Sequence, residues 1–228
     1  MIDNKYTLMQ KSFYSSGTSN HEEHNDNPDY WSILLGEIKE SSKWKGKSAL
    51  DFACGKGRNV TNLHSLAEWS TVDGVDISES NINFCKNAYL EQDSKWFCNN
   101  GVDLNPIEEN QYDFVMSTIA LQHIPVYEIR RNIMTEILRV LKPGGLFSFQ
   151  MGFGPDLMDT HGRPRSSYYD NSYNASGTNA DHDVRVQSED EIKNDLAKIG
   201  FVDIETTIAS PFSDFGHPNW IYVKCKKS

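Results

Sequence analysis

One short stretch of the chain combines residue types that can bind a charged, nucleotide-like ligand. Asp51 lies in an apolar run, and two glycines, Gly55 and Gly57, follow it closely. Because glycine has no Cβ, the backbone there can adopt positive φ and a ligand can approach closely. A helix N-terminus beyond the glycines would offer unpaired N–H groups and a partial positive charge. We therefore expect a strand, a glycine turn and a helix, with Asp51 bonding the loop or a ligand's ammonium group.

A second acid, Asp76, ends the next apolar run, about 20 residues beyond the glycine turn. Nucleotide-binding α/β folds place a ribose-binding carboxylate at this position. The glycine spacing excludes the dinucleotide fingerprint G-x-G-x-x-G/A, because Asn59 and Val60 stand where its third small residue would be. The alternative role for Asp76 is an N-terminal acid that stabilises the following helix.

Alternating strands and helices surround these residues and predict a doubly wound, mostly parallel sheet. A helix should begin at Asn27-Pro28, and another at Ser78. A capping box of Ser188 and Glu191 opens the last helix. Two closing strands without a helix between them indicate a hairpin, hence one antiparallel strand. The predicted strands are Lys47–Ala53, Thr71–Asp76, Trp96–Cys98, Tyr112–Met116, Leu146–Gln150, Phe201–Ile208 and Trp220–Val223.

Two segments lack periodicity. Residues 1–27 are polar, and we interpret them as a solvated lead-in, including the metal-like group His21, Glu22, Glu23 and His24. Residues 151–186 are rich in Gly, Asn, Asp, Ser and Tyr, which predicts a lid or binding loop, with a disordered surface loop as the alternative. The expected single domain comprises an N-terminal cap (1–44), a ligand-binding half (45–150), the lid (151–186), and a closing helix with strands (187–228).

Composition limits the classes of partner. The chain has 228 residues and a net charge of −10, which argues against a general nucleic-acid or anionic-membrane surface. Its four cysteines form no C-x-x-C pair, so we expect reduced thiols and no metal site. Met1–Gln10 lacks an apolar signal-peptide core, and no run is long enough to span a membrane. These features predict a cytoplasmic protein.

The stretches Asp51–Gly57 (DFACGKG) and Gly74–Ser78 (GVDIS) resemble motif I and the following acidic motif of the class I S-adenosylmethionine (SAM) methyltransferases. Tyr112–Val115 (YDFV), Leu121–Ile124 (LQHI) and Leu141–Gly145 (LKPGG) extend the resemblance, which covers roughly residues 45 to 226. It implies a seven-stranded sheet whose last strand is antiparallel. It also implies SAM as cofactor and S-adenosylhomocysteine as product.

The resemblance also assigns roles to residues. Asp51, Gly55 and Gly57 would hold the methionine part of SAM, with Ser117 and Ile119 beneath it. Asp76 would bind the ribose hydroxyls, Ile77 would pack on adenine, and residues 100–102 would border its edge. The expected cofactor-binding set is Asp51, Ala53, Cys54, Gly55, Gly57, Arg58, Asp76, Ile77, Asn100, Gly101, Val102, Ser117 and Ile119.

His123 is the candidate catalytic base, because imidazole titrates near neutral pH. Its alternative role is a structural one at a helix start. The expected acceptor-binding residues are Tyr30, Trp31, His161, Arg163, Arg165, Tyr168, Tyr169 and Tyr173, and Asp181, His182 and Asp183 are further candidates. Aromatic and cationic side chains of this kind can stack on a ring and pair with an anionic group. Cys54 contributes only its backbone, since no base is placed to activate its thiol.

These features together predict a SAM-dependent methyltransferase that acts on a small-molecule or sugar-like acceptor by direct in-line displacement. Three alternatives stay open: a nicotinamide-dependent oxidoreductase, a nucleotide-binding module without catalysis, and a protein or nucleic-acid methyltransferase. The absent third glycine disfavours the first. The acidic balance and the lack of an N/D-P-P-Y/F phrase disfavour the last. The acceptor atom and the oligomeric state are not predicted.

Overall fold

The computed structural model describes residues 4–16, 28–36, 42–158, 162, 164–171, 183–210 and 217–228. The helices are α1 (Asn4–Ser15), α2 (Pro28–Leu35), α3 (Arg58–Leu66), α4 (Glu79–Ala88), α5 (Tyr127–Val140) and α6 (Glu189–Ile199). The strands are β1 (Ser48–Phe52), β2 (Thr71–Asp76), β3 (Trp96–Cys98), β4 (Tyr112–Ser117), β5 (Leu141–Phe153), β6 (Ser166–Ser167), β7 (Val184–Arg185), β8 (Phe201–Ala209) and β9 (Asn219–Lys227).

Seven strands form one sheet in the order β3-β2-β1-β4-β5-β9-β8. The pairs from β3 to β5 are parallel, whereas β9 is antiparallel to both of its neighbours, β5 and β8. This arrangement confirms the predicted fold class and the antiparallel last strand. The chain winds outward in both directions from the adjacent strands β1 and β4. Ligands of such sheets bind in the crevice at the carboxyl ends of the strands around this switch point.

The sheet separates two hydrophobic clusters. On one face, Phe147 and Phe149 of β5 pack with Ile133 and Ile137 of α5. On the other face, α2 and α3 cover strand residues that include Phe114. All five residues of β1 are buried, as expected of a central parallel strand covered on both sides. The glycine turn therefore emerges from the most enclosed part of the sheet.

Helix α1 corrects the prediction that residues 1–27 form a solvated lead-in. Residues Tyr6, Thr7 and Gln10 of this helix are buried. Polar contacts also hold the helix in place. The Ser15 hydroxyl donates to the Ser78 hydroxyl, and the backbone carbonyl of Ser15 accepts a hydrogen bond from the Ser80 hydroxyl. Two of the three buried residues are polar, so hydrophobic periodicity could not reveal the helix. The stretch His21, Glu22, Glu23 and His24 lies outside the described residues.

Helix termini agree with the sequence signals more closely than strand ends do. Ser188 caps α6 by accepting the N–H of Glu191, and Gly200 ends α6 with φ of 117°. Strand β5 is longer than predicted, because residues 141–145 already extend it instead of only terminating α5. Strand β9 likewise extends beyond the predicted Val223 and includes Lys224, Lys226 and Lys227.

Candidate active site

The glycine turn after β1 adopts a left-handed backbone at three positions. Ala53, Gly55 and Gly57 have φ of 60°, 53° and 83°. A Cβ on Gly57 would lie 2.8 Å from Tyr89 and 2.9 Å from Trp96. The glycine at position 57 is therefore required by packing of protein side chains, which differs from the close ligand approach expected from sequence. Cys54 beside it is buried, and burial raises the pKa of its thiol, as suits a residue without a nucleophilic role.

Asp51 is 1% exposed, and neither of its carboxylate oxygens accepts a hydrogen bond from any residue that the structure describes. Burial raises its pKa from 3.8 to about 8, while the charge of Arg58 and the nearby Asn59 amide oppose the increase and the charge of Asp76 adds to it. The Asn59 amide donates its hydrogen bond to Thr118 and not to Asp51. Burying a carboxylate without donors is strongly unfavourable. Asp51 is thus complementary to a ligand group that carries positive charge and N–H donors.

Further polar groups surround Asp51 at the carboxyl ends of β1 and β4. The Asn59 amide donates to the Thr118 hydroxyl at 2.7 Å. The Asn59 carbonyl and the Ser117 hydroxyl have no partner within the described ranges. Tyr30 of α2 is also buried here, next to Thr118, and burial raises its pKa to about 12. Residues predicted to hold the methionine part of SAM, among them Asp51 and Ser117, therefore lie at the same edge of the sheet.

Helix α2 lies over this end of the site. Tyr30 and Trp31 are both buried, and their rings meet edge to face with centroids 5.4 Å apart. Both were predicted to bind the acceptor. The charge of Arg58 lowers the pKa of the Tyr30 hydroxyl and that of Asp51 raises it. Tyr30 therefore lies near two residues that were predicted to bind the cofactor.

Asp76 joins the glycine turn to the start of α4. Its carboxylate accepts the N–H of Gly55 at 2.9 Å and the N–H of Ser78 at 2.8 Å. Burial raises its pKa, and these two bonds oppose the increase. The alternative role weighed from sequence, support of the following helix, is thus observed. The Asn81 side chain also acts on this carboxylate. The ribose contact stays a prediction that needs the remaining lone pairs of the two oxygens.

The predicted adenine edge is closely packed. A Cβ on Gly101 would lie 2.6 Å from Ile77 and 3.4 Å from Thr7 of α1, so α1 approaches this edge. Asn100 forms a turn, because its side-chain carbonyl accepts the N–H groups of Val102 and Asp103 at 2.8 and 3.0 Å. Asn100 therefore has a structural task in addition to the predicted contact with adenine.

His123 lies in a short 3-10 turn, Leu121–His123, after β4. Its Nδ1 atom is 2.5 Å from Asp183 Oδ1, and a quarter of its side chain is exposed. Tyr6 of α1 donates its hydroxyl to the His123 carbonyl at 3.1 Å. The turn is thus contacted both by the N-terminal helix and by the predicted lid.

Asp183 is the centre of a buried ionic cluster. Its Oδ2 atom lies 2.9 Å from Arg165 Nη1 and 3.3 Å from His217 Nε2. Burial would raise the pKa of Asp183, but the charge and hydrogen bond of His123, with His217 and Arg165, hold it well below its usual range. Burial lowers the pKa of His217, and the hydrogen bond and charge of Asp183 oppose the decrease.

His217 is a site residue that the sequence analysis missed. Its ring fills the space above Gly152, where a Cβ would overlap the imidazole, and it packs against Trp220 at 5.0 Å. Strand β9 lies between β5 and β8, and this position brings His217, just before β9, beside the fifth strand. No periodic pattern marks this residue, although an isolated glycine within an apolar strand is a signal of close approach.

The predicted acceptor residues separate into two groups. Arg165 joins the Asp183 cluster. Tyr168 is fully buried and donates its hydroxyl to Asp195 at 2.8 Å, and Tyr169 donates to the Glu191 carbonyl at 3.1 Å. Both tyrosines bind α6, which is a packing role and differs from the predicted contact with the acceptor. The predicted residues His161, Arg163, Tyr173, Asp181 and His182 lie outside the described residues.

Comparisons with known proteins agree with this geometry. Residues 50–149 match the family model described as a methyltransferase domain. This match and the sheet topology support the class I SAM-dependent methyltransferases as the family that the chain resembles. The matched residues include the glycine turn, Asp76 and His123, so the motif-based prediction of the family is confirmed.

Curated relatives of this chain share its central part. A fatty-acid O-methyltransferase of Mycolicibacterium smegmatis is 28% identical over 105 residues, which are 46% of this chain and 37% of that protein. A demethylmenaquinone methyltransferase of Staphylococcus saprophyticus is 29% identical over 110 residues, 48% of this chain and 46% of that protein. The chain thus spans less than half the length of these relatives.

A solved structure extends the likeness to the whole fold. Phosphoethanolamine N-methyltransferase 2 of Haemonchus contortus, in complex with SAM, has a TM-score of 0.62 and 17% identity to this chain. The match covers 99% of this chain and 57% of that one. At this identity the comparison shows the shared fold.

The residues present in this chain fit SAM. The methionine part of SAM carries an ammonium and a carboxylate, and the site offers the unpartnered carboxylate of Asp51 with Arg58 close by. Asp76 can accept ribose hydroxyls, and Ile77 with Gly101 forms an apolar surface for a base. Within the described ranges, no three His, Cys, Asp or Glu side chains form a group suited to a metal ion, and no helix there could cross a membrane.

Proposed function

We propose that this chain is an active methyltransferase that transfers the methyl group of SAM to a small-molecule acceptor. The observation that carries the proposal is the buried carboxylate of Asp51, which lacks a donor among the described residues and stands at the glycine turn. A ligand with an ammonium group compensates the desolvation of this acid. The dinucleotide cofactors lack a matching ammonium group on their ribose-phosphate part.

The chain's residues bind and orient the reactants. Asp51 binds the ammonium group, Asp76 binds the ribose hydroxyls, and Ile77 packs on the base. SAM supplies a methyl group already activated on a sulfonium, so correct placement of the acceptor provides most of the rate acceleration. Helix α2, through Tyr30, and helix α1, through Tyr6, exclude water from the two ends of the crevice.

The acceptor is a small molecule in this proposal. The names of the relatives specify a fatty acid, demethylmenaquinone and phosphoethanolamine, which are all small molecules or lipids. The net charge of −10 disfavours nucleic acid as a substrate. The sugar-like acceptor considered from sequence is one member of this class.

Two binding measurements and one turnover measurement test the proposal. Calorimetric titration of the purified protein with SAM should give saturable binding, and titration with NADH should give none. Incubation with SAM and fractionated metabolite extracts should then yield a product heavier by one methyl group. The Asp51→Asn variant is the control, because it preserves the shape of the site and removes the charge.

The outcomes separate the alternatives. Binding of NADH without binding of SAM would indicate an oxidoreductase. Binding of SAM without methyl transfer to any fraction would indicate a nucleotide-binding module without catalysis. Transfer only to added protein or RNA would replace the small-molecule acceptor with a macromolecule.

A further inference from the structure

Two buried side chains beside the end of the fifth strand carry polar atoms that no described residue contacts by a hydrogen bond. Gln150 is 3% exposed and His217 is 2% exposed. The unpaired atoms are Oε1 of Gln150 and Nδ1 of His217. Native proteins pair nearly all buried polar groups, so two unpaired atoms in one region indicate a ligand. Neither residue belongs to the predicted cofactor or acceptor sets.

Both atoms lie on the face of the sheet that α2 covers. The Ser148 hydroxyl donates to the Leu34 carbonyl of α2 at 2.8 Å, which identifies this face. Side chains alternate along a strand, so Gln150 and position 152 follow Ser148 on the same side. The His217 ring, including Nδ1, occupies the space above Gly152. Gln150 and His217 therefore stand two residues apart on one strand face, about 6–7 Å along β5.

Aromatic side chains border this polar pair. Tyr222 and Trp220 of β9 are directly opposite positions 150 and 152, and both are buried in the cluster beneath α2. Tyr30 of α2 meets Tyr222 edge to face with ring centroids 6.2 Å apart, and Trp220 packs against the His217 ring. A few polar atoms between aromatic walls are typical of a small-molecule site.

The pair lies beside the predicted cofactor site without overlapping it. Asp51 is paired with Met116 of β4, and Met116 is paired with Ser148 of β5. Gln150 is thus two strands away from Asp51 and two residues nearer to the carboxyl end. Strand spacing of about 4.8 Å and a rise of about 3.3 Å per residue place the two Cα atoms about 12 Å apart. A second molecule can therefore contact Gln150 while Asp51 binds the cofactor.

Both unpaired atoms accept hydrogen bonds. An amide oxygen only accepts, and so does the carboxylate of Asp183, which makes His217 Nε2, 3.3 Å from it, the donor of that bond. Burial lowers the pKa of the ring below its ordinary value of 6.5, although Asp183 opposes the decrease. Above that pH, Nδ1 carries a lone pair. The two atoms together fit a ligand that supplies two donors.

The local charges favour hydroxyl groups over ammonium groups as these donors. Gln150 is neutral, and the Asp183 carboxylate behind His217 already lies 2.9 Å from Arg165 Nη1 and 2.5 Å from His123 Nδ1. An ammonium group beside the pair would lose its hydration without a carboxylate of its own, which is strongly unfavourable. A neutral hydroxyl needs only an acceptor atom.

We propose that Gln150 and His217 bind two hydroxyl groups of the acceptor, and that the part of the acceptor they hold is an uncharged polyol. The assignment rests on the proposed function, because it names residues that select the acceptor. Both side chains orient the acceptor and transfer no proton. The surrounding aromatic rings offer apolar surface to the carbon skeleton of such a compound.

Gln150→Met tests the first contact, because methionine has a similar length and removes the amide. KM for the acceptor recovered from the metabolite screen should rise about 3- to 10-fold, as expected for one neutral hydrogen bond, while the affinity for SAM changes less than about twofold. Without the acceptor, the variant should be at least as stable as the wild type, since an unpaired buried amide is removed. Lower stability with unchanged KM would show a structural role and overturn the contact.

Ser148→Ala is the matched control. Ser148 lies on the same face two residues earlier and is 1% exposed, but its hydroxyl already has a partner in Leu34. This change should lower the stability and leave KM for the acceptor unchanged. An equal increase of KM in both variants would attribute the effect to a general disturbance of β5 and overturn the assignment of Gln150.

Deoxy analogues of the recovered acceptor test both contacts in the wild type, whether or not a variant folds. Removal of one hydroxyl at a time should raise KM about 3- to 10-fold at two positions. One of these analogues should lose nothing further in Gln150→Met, which gives a non-additive cycle. Equal KM for all analogues, or purely additive losses, would overturn the proposal.

The His217 contact also has a spectroscopic test. Long-range ¹H–¹⁵N NMR at pH 8, with S-adenosylhomocysteine present to prevent turnover, should show an unprotonated His217 Nδ1. Its ¹⁵N resonance should move upfield when the acceptor is added, because the atom then accepts a hydrogen bond. An unchanged resonance, or a protonated Nδ1 in the free protein, would overturn the role of His217.

The screen separates failure of this assignment from failure of the proposed function. A methylated acceptor without hydroxyl groups would overturn the polyol while leaving methyltransferase activity intact. If SAM binds and no fraction is methylated, the proposed function fails instead. The stability of Gln150→Met then decides the assignment, and a value below that of the wild type overturns it.

Discussion

Two buried carboxylates in this protein, Asp195 and Asp51, have nearly the same exposure and opposite surroundings. Asp195 of α6 is 0% exposed and accepts the hydroxyls of Tyr127 at 2.5 Å and Tyr168 at 2.8 Å. Asp51 is 1% exposed and has no donor among the described residues. Native proteins nearly always pair buried polar groups. A paired acid of this kind holds elements together, whereas an unpaired one indicates the place of a ligand.

Arg130 strengthens the Asp195 side of this comparison. Its guanidinium is fully buried, donates to the carbonyls of Ile124 and Tyr168, and lies 4.7 Å from the Tyr168 ring centroid. Burial lowers the pKa of Arg130, and the nearby charge of Asp195 opposes this decrease. One set of polar contacts thus joins α5, α6 and the segment around Tyr168. These contacts are made between protein groups and do not involve the acceptor.

The largest effect on stability should come from Asp195→Ala. This change leaves two tyrosine hydroxyls without an acceptor and the Arg130 charge without its balancing acid. We expect the free energy of unfolding to fall by about 3–5 kcal/mol, the usual loss when one partner of a buried pair is removed. Urea denaturation measures it. A loss below about 1 kcal/mol would mean that the cluster relaxes easily, and the contrast with Asp51 would weaken.

The next largest effect concerns Asp51→Asn. The affinity for SAM should fall by about 2–3 kcal/mol, or roughly 30- to 150-fold, because a charge-assisted bond to the ammonium group is lost. The protein without SAM should be at least as stable as the wild type at pH 8, since an uncompensated buried acid is removed. Calorimetry and thermal unfolding measure the two quantities. Unchanged affinity would remove Asp51 from the site.

Tyr168→Phe should have a smaller effect. It removes one hydroxyl bond to Asp195, so the free energy of unfolding should fall by about 0.5–1.5 kcal/mol. The acceptor KM and the affinity for SAM should match the wild type. This expectation replaces the prediction from sequence that Tyr168 binds the acceptor. A severalfold increase in KM with unchanged stability would restore the earlier role.

The smallest effect is a proton released when SAM binds. The pKa of Asp51 is raised to about 8 without ligand, so the folded protein binds more protons here than the unfolded chain between about pH 4 and pH 8. This contribution to stability is present at low pH and is lost as pH rises through that range. The SAM ammonium should lower the pKa, releasing up to one proton at pH 7.

Calorimetry in phosphate and in Tris buffer detects this release, because the observed heat then depends on the ionisation enthalpy of the buffer. Asp51→Asn should remove the dependence. Equal heats in both buffers for the wild type would show that Asp51 is already ionised before SAM binds.

The sequence predicted the parts of the fold that depend on local pattern. Buried strands, the glycine turn and Asp76 are contiguous features, and the strand order follows once these motifs identify the family. The partners of Asp183 could not be predicted, because His123 and His217 lie 60 and 34 positions away from it. Tyr168 was assigned to the acceptor because its segment has no periodicity that would indicate a buried face.

The cofactor set illustrates the same limit within a motif. The motif assigned Gly57 to the cofactor, and the structure adds that Tyr89 and Trp96 leave no room for a side chain there, which the linear sequence does not reveal. Likewise, the sequence shows a polar side chain at position 100, but it does not show that this side chain accepts the backbone N–H groups of the turn. A sequence motif shows which residue stands at a position, whereas the physical reason for that residue depends on side chains that the fold brings into contact.

Gly152 and His217 make the tolerance to substitution at one position depend on the other. The imidazole fills the volume that any side chain at position 152 would need. Gly152→Ala alone should therefore expel the ring, whereas the same change combined with His217→Ala should be accepted more readily, giving a non-additive double-mutant cycle. Libraries that vary the residues around Gly152 should change positions 152 and 217 together, because a side chain at position 152 needs the space that the imidazole of His217 occupies.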